Sequence, residues 1–232
     1  MSNEISILEQ QILSDIDERI NLMSRIRLLS TLYNFSEADK QLFLNYSMPI
    51  IYSIWEGFIQ SALQTYIRSL NRLRLSPDDI CDRILVYHME AEFLQFKQYP
   101  RSMNREDQSK KTEQKVKFFV KLKRFYSSGI LEINANVNTE SNVGFSVLNR
   151  ILGDFNLAEI SEFPLPRYSL KVELDQSLLR IRNAVAHGQD GQDSVIVKLE
   201  DLERAIILVD RLMDLVFESI KDGFINESYR KR

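Results

Sequence analysis

The chain is poor in the residues that punctuate loops. Its 232 residues hold only seven glycines and five prolines, less than half the usual share of roughly 12%. A sandwich or barrel of many short strands needs frequent turn-formers, so this scarcity favours helices. There is one cysteine, Cys81, which excludes an intrachain disulfide and fits a reducing cytoplasm. One cysteine and two histidines give no tetrahedral zinc set without help from carboxylates, and neither a metal nor another cofactor is expected. No apolar run reaches the ~18 residues a membrane span needs. The segment from Met1 to Gln10 carries Glu4 and Glu9 without the basic-then-apolar order of a signal peptide. What remains is a globular chain, 44% hydrophobic and 27% charged, with a formal net charge of -3.

Apolar residues recur at helical spacing through most of the sequence. Ile5, Leu8, Ile12, Ile16, Ile20, Met23, Ile26 and Leu29 form one stripe. Ser36 and Asp39 read as a capping box, ahead of a strongly apolar run from Gln41 to Leu73 that is expected to be the central helix. Pro49 should kink this run or open a new helix. Ser76-Pro77-Asp78-Asp79 reads as a helix start with proline in the first turn, and the pattern stays helical to Gln98. Another helix is expected over about Glu113 to Tyr126. The Asn-rich stretch 127–142 fits either a short strand or an irregular loop. A short helix over Val143 to Phe155 and an extended connection at Pro164 and Pro166 follow. A helix from Val172 to His187 is then stopped by Gly188, with a turn at 189–193 and a last helix from about Leu199 to Lys221.

The net charge hides an asymmetry. Between Lys97 and Arg124, ten basic residues face three acidic ones, a local +7 on a remainder of -10. Such a field suits a polyanion such as RNA. On the helix expected there, Lys117, Lys121 and Arg124 line the face opposite Phe118, Phe119, Leu122 and Phe125, so these three are candidate RNA contacts. The alternative is an ordinary solvated face over a core of aromatics.

Histidine is the side chain best suited to proton transfer near neutral pH. Both histidines have an arginine five positions upstream, Arg83 before His88 and Arg182 before His187. The first pair lies among Ile84, Leu85, Val86 and Tyr87, where a core or interface histidine is expected. The second differs: Ala184 and Ala186 leave the helix surface bare, Asn183 adds a polar group, and Gly188 follows at once. A five-residue offset on a straight helix is roughly 140° around the axis. Arg182 and His187 therefore converge only if the helix ends or loosens, or if a second chain supplies the partner.

The segment Leu179-Arg180-Ile181-Arg182-Asn183-Ala184-Val185-Ala186-His187-Gly188 resembles the Arg-polar-x-x-x-His signature of HEPN domains. Ile51-Tyr52-Ser53-Ile54-Trp55-Glu56-Gly57-Phe58 is similar to the aromatic-Trp-Glu-Gly helix of one bacterial HEPN branch. The resemblance implies an all-α fold, an antiparallel helical bundle with extra helices and an irregular or short-strand insertion. It implies one HEPN-like domain over 1–232, with a basic insertion at about 97–142. It also implies a toxin or phage-defence endoribonuclease that works without metal, as a homodimer with a composite active site. Arg182, His187 and Asn183 would be catalytic, with Glu56 in support, holding Arg182 in place or pairing with another arginine. Tyr52, Trp55 and Phe58 are expected in the core. The implied partners are RNA, a second copy of the chain, and a cognate antitoxin or companion defence protein. Two other readings stay open: a non-catalytic module binding RNA, nucleotide or a protein, and a structural helical adaptor.

Overall fold

The computed structural model describes residues 2–92, 120, 122, 127, 129–140, 142–165, 168–186 and 196–231. His187, Gly188, the turn at 189–193, Lys117, Lys121, Arg124 and most of the helix expected over 113–126 lie outside these residues. The described chain forms six α-helices and one π-helix: α1 Ser2–Leu32, α2 Glu37–Arg72, α3 Asp82–Glu92, α4 Phe145–Asp154, a π-helix Val172–Leu179 running into α5 Arg180–Ala186, and α6 Leu199–Ile225. Among the described residues there is no sheet, only the isolated bridges Ile80 to Arg230 and Leu165 to Tyr168. The all-α expectation holds.

The long helices α1, α2 and α6 pack on one another in pairs, and the π-helix and α5 lie against α2. The expected α1 stripe supplies Leu8, Ile12, Ile16, Met23 and Ile26 to the core. Ser36 caps α2 by accepting the Asp39 N–H. Pro49 neither starts a new helix nor ends the old one, because α2 continues through it. A mid-helix proline costs about 3 kcal/mol. Its neighbours Met48, Ile51 and Tyr52 are all buried, and each buried side chain of this size returns roughly 1.5–3 kcal/mol, so packing outweighs the lost hydrogen bond.

Ser76-Pro77-Asp78-Asp79 is a turn rather than a helix start. The Asp79 carboxylate accepts from both the Ser76 N–H and the Ser76 hydroxyl. The next residues are pulled into pairing with the C-terminal segment: Cys81 N–H donates to the Tyr229 carbonyl and Lys231 N–H to the Asp79 carbonyl. Helix α3 therefore begins only at Asp82.

The stretch 131–140 is irregular. Leu131, Ile133, Val137 and Thr139 are buried on strand-like alternation, yet among the described residues no strand lies beside them. Side chains replace the missing ladder: Asn71 donates to the Ile133 carbonyl at 2.9 Å and accepts its N–H at 2.8 Å. This satisfies backbone groups that would be costly to bury alone.

Candidate active site

The Trp-Glu-Gly turn of α2 is a junction that meets three neighbours, Val143, Thr139 and Arg19. Tyr52 and Trp55 lie on one face of the helix, and both are buried. Tyr52 accepts the Val143 N–H at 2.8 Å, and the Trp55 indole donates to the Val143 carbonyl at 3.0 Å. Both polar groups of one buried peptide residue are thus clamped. One turn on, Glu56 accepts the Thr139 hydroxyl at 2.7 Å, and Thr139 in turn accepts from Gln60 at 3.0 Å. Gly57 lies under Arg19, whose guanidinium donates to the Ile54 carbonyl and to Ser61. A Cβ at Gly57 would sit 3.1 Å from Arg19 Nη1, so the glycine lets the arginine lie flat on the helix.

Val143 leads into α4, whose first N–H is capped from a distance. The Asp175 carboxylate on the π-helix accepts the Phe145 N–H at 2.8 Å, and a Cβ at Gly144 would come within 2.7 Å of the same oxygen. The clamped loop, α4 and the helix carrying Arg182 are therefore fastened together.

Arg182 lies half-buried at the start of α5, directly after the π-helix. Its guanidinium carbon is 4.6 Å from the centroid of the Tyr52 ring, within the range of a cation–π contact. Nη1 donates to the side-chain oxygen of Asn183 at 2.8 Å. That bond turns the Asn183 amide nitrogen, a double donor, away from the arginine. Burial pushes the Tyr52 hydroxyl up to about 12; the negative charge of Glu56 adds to this, while the Val143 N–H and the Arg182 charge oppose it. The phenol stays neutral at ordinary pH.

The structure thus brings Arg182, Asn183 and Glu56 to one region, joined by Tyr52. Glu56 forms no ion pair with Arg182 or with any other arginine among the described residues; it bonds to Thr139 instead. Tyr52 is in the core, as its helical spacing predicts, but its ring also carries the arginine, a role that spacing does not reveal. Thr139 and Val143 left no signal in the sequence, because they are joined to α2 across more than eighty residues. His88 is buried, and its Nδ1 accepts the Asn134 N–H at 3.4 Å. Arg83 turns instead to the Gly153 carbonyl. That arginine–histidine pair has a structural place.

An all-helical bundle with an Arg-Asn pair on a short helix, set against a Trp-Glu helix, is the arrangement expected of a HEPN protein. The chain belongs to the RiboL-PSP-HEPN family, whose model matches residues 12–222. No curated protein and no solved structure gives a significant match. Among the described residues no helix is long and apolar enough to cross a membrane.

Proposed function

We propose that this chain is a metal-independent endoribonuclease, a toxin or phage-defence effector acting as a homodimer. The observation that carries the reading is the setting of Arg182: its guanidinium carbon lies over the Tyr52 ring, one N–H is bonded to Asn183, and His187 follows five residues later. An arginine fixed in this way is suited to a phosphate, because its remaining N–H groups form a planar fork that matches phosphate oxygens. Asn183 would add an amide donor to the same group.

In the proposed reaction His187 takes the proton from a ribose 2′-hydroxyl. The freed oxygen attacks the adjacent phosphorus while Arg182 stabilises the charge growing on the phosphate oxygens. The bond to the 5′-oxygen breaks, and that oxygen must receive a proton. His187 of a second copy would supply it, so a two-fold pair provides both base and acid. The products are a 2′,3′-cyclic phosphate and a 5′-hydroxyl. Lys117, Lys121 and Arg124 would hold the RNA backbone, and a cognate antitoxin or companion protein would restrain the activity.

A feature of α2 supports the two-chain part. Leu42, Tyr46 and Ile50 are exposed at a spacing of four, an apolar stripe on the helix that carries Tyr52 and Glu56. A stripe of this kind is suited to a contact with a second chain.

The test is incubation of total RNA with wild type and His187→Ala in the presence of EDTA. Cleavage by wild type and none by the variant is expected. Equal background from both would sink the proposal, and binding without cleavage would favour the non-catalytic module. Neutralising Lys117, Lys121 and Arg124 together should weaken RNA binding and flatten its salt dependence.

A further inference from the structure

A carboxylate paired with an arginine takes up part of its hydrogen-bonding edge and charge. Here the orienting group is an aromatic face. We infer that Tyr52 is the positioning residue for Arg182, holding the guanidinium from behind so that its edges point to the substrate phosphate. This deepens the nuclease reading and rests on it for the role of Arg182, though not for the contact itself.

Tyr52 is built for the task. Its ring is buried in the core and its hydroxyl is fixed by the Val143 N–H at 2.8 Å. Val143 is held a second time by Trp55. The ring can neither rotate outward nor slide along α2 without breaking those bonds. A guanidinium stacked on such a ring loses freedom perpendicular to the ring plane, while all its N–H groups, which lie in its own plane, stay available. Asn183 takes one of them and fixes rotation within that plane. Two restraints of different kinds, the ring beneath the guanidinium carbon and the bond from Nη1 to Asn183, define the direction of the fork, and among the described residues no carboxylate pairs with Arg182. Glu56 and Thr139 enter indirectly, because their hydrogen bond anchors the loop that carries Val143.

The contact can be observed directly. In the full chain labelled with nitrogen-15, the Arg182 Nε–H resonance, identified by its loss in Arg182→Lys, should be displaced upfield by the Tyr52 ring current. It should show a nuclear Overhauser effect to the ring protons. Tyr52→Leu should return the resonance to the ordinary arginine range, and Tyr52→Phe should keep most of the displacement. In the RNA assay Tyr52→Leu should lower kcat by about tenfold, the size expected for a lost cation–π contact, with Tyr52→Phe between it and wild type.

An ordinary Arg182 resonance in wild type, or one indifferent to Tyr52→Leu, overturns the inference. The wild-type shift and Overhauser effect decide the matter even if Tyr52→Leu does not fold. The two readings fail separately. A displaced resonance in a protein that cuts no RNA removes the nuclease and leaves the contact; RNA cleavage with an ordinary resonance does the reverse.

Discussion

Thr139 donates its hydroxyl to Glu56 across 2.7 Å, and this bond ties the middle of α2 to an irregular loop more than eighty residues away. A half-buried carboxylate in the most apolar helix needs such a partner, since an unsatisfied one is costly. Thr139→Val removes the donor and keeps the shape. It should cost about 1–3 kcal/mol in urea unfolding, and it should lower RNA cleavage by loosening the loop that holds Tyr52. Glu56→Gln, which keeps an acceptor, should cost less than Thr139→Val.

The two site-proximal glycines should respond unequally to alanine. At Gly57 the new methyl group meets the end of the Arg19 side chain at 3.1 Å, and a long side chain can give way. At Gly144 it meets Asp175 Oδ1 at 2.7 Å, and moving that carboxylate strips the cap from α4. Loss of a cap costs roughly 0.5–2 kcal/mol. Gly144→Ala should therefore be the more destabilising in chemical denaturation, and a larger loss for Gly57→Ala would contradict the account.

These positions show what the sequence made legible. The stripes of α1, α2 and α6, the Arg-Asn pair and the Trp-Glu-Gly turn are local patterns, and local patterns survive in a linear string. Three features did not. Asn71 standing in for a strand partner, Asp175 capping α4, and Thr139 serving Glu56 are all side-chain hydrogen bonds between residues far apart in the chain. No spacing encodes them. The turn at Ser76 is hidden from the sequence for a related reason, since its form depends on pairing with Tyr229 and Lys231, about 150 residues away.

Stability should fall at high pH. Burial pushes the Tyr52 and Tyr87 hydroxyls up to about 12, with Asp154 adding to the effect on Tyr87, and burial pushes Tyr66 up as well. An acid whose pKa is raised by folding stabilises the fold fully below its ordinary value of about 10. That contribution is lost as pH climbs through the folded value, at up to about 1.4 kcal/mol per pH unit for the buried Tyr52 and Tyr66 and less for the partly buried Tyr87. Thermal melts should hold steady to about pH 10 and drop from there toward 12. Tyr66 makes no hydrogen bond among the described residues, so Tyr66→Phe should leave neutral-pH stability unchanged or raised and soften the alkaline drop.

The exposed stripe on α2 gives a test of assembly. If Leu42, Tyr46 and Ile50 meet a second copy, Tyr46→Glu places a charge in an apolar contact, which is strongly unfavourable. Sedimentation should then show wild type as a dimer and the variant as a folded monomer with reduced RNA cleavage. A wild-type monomer that cleaves RNA at full rate would remove the need for a two-chain site.

The proposed reaction turns on which oxygen attacks phosphorus. A defined oligoribonucleotide and the same oligomer lacking the 2′-hydroxyl at the cleaved position should be incubated with wild type, Arg182→Ala and His187→Ala, and the product ends read by mass spectrometry. Wild type should give a 2′,3′-cyclic phosphate and a 5′-hydroxyl on the ribose substrate, and every other combination should give no cleavage. Cleavage of the 2′-deoxy substrate, or the same products from His187→Ala as from wild type, would contradict it.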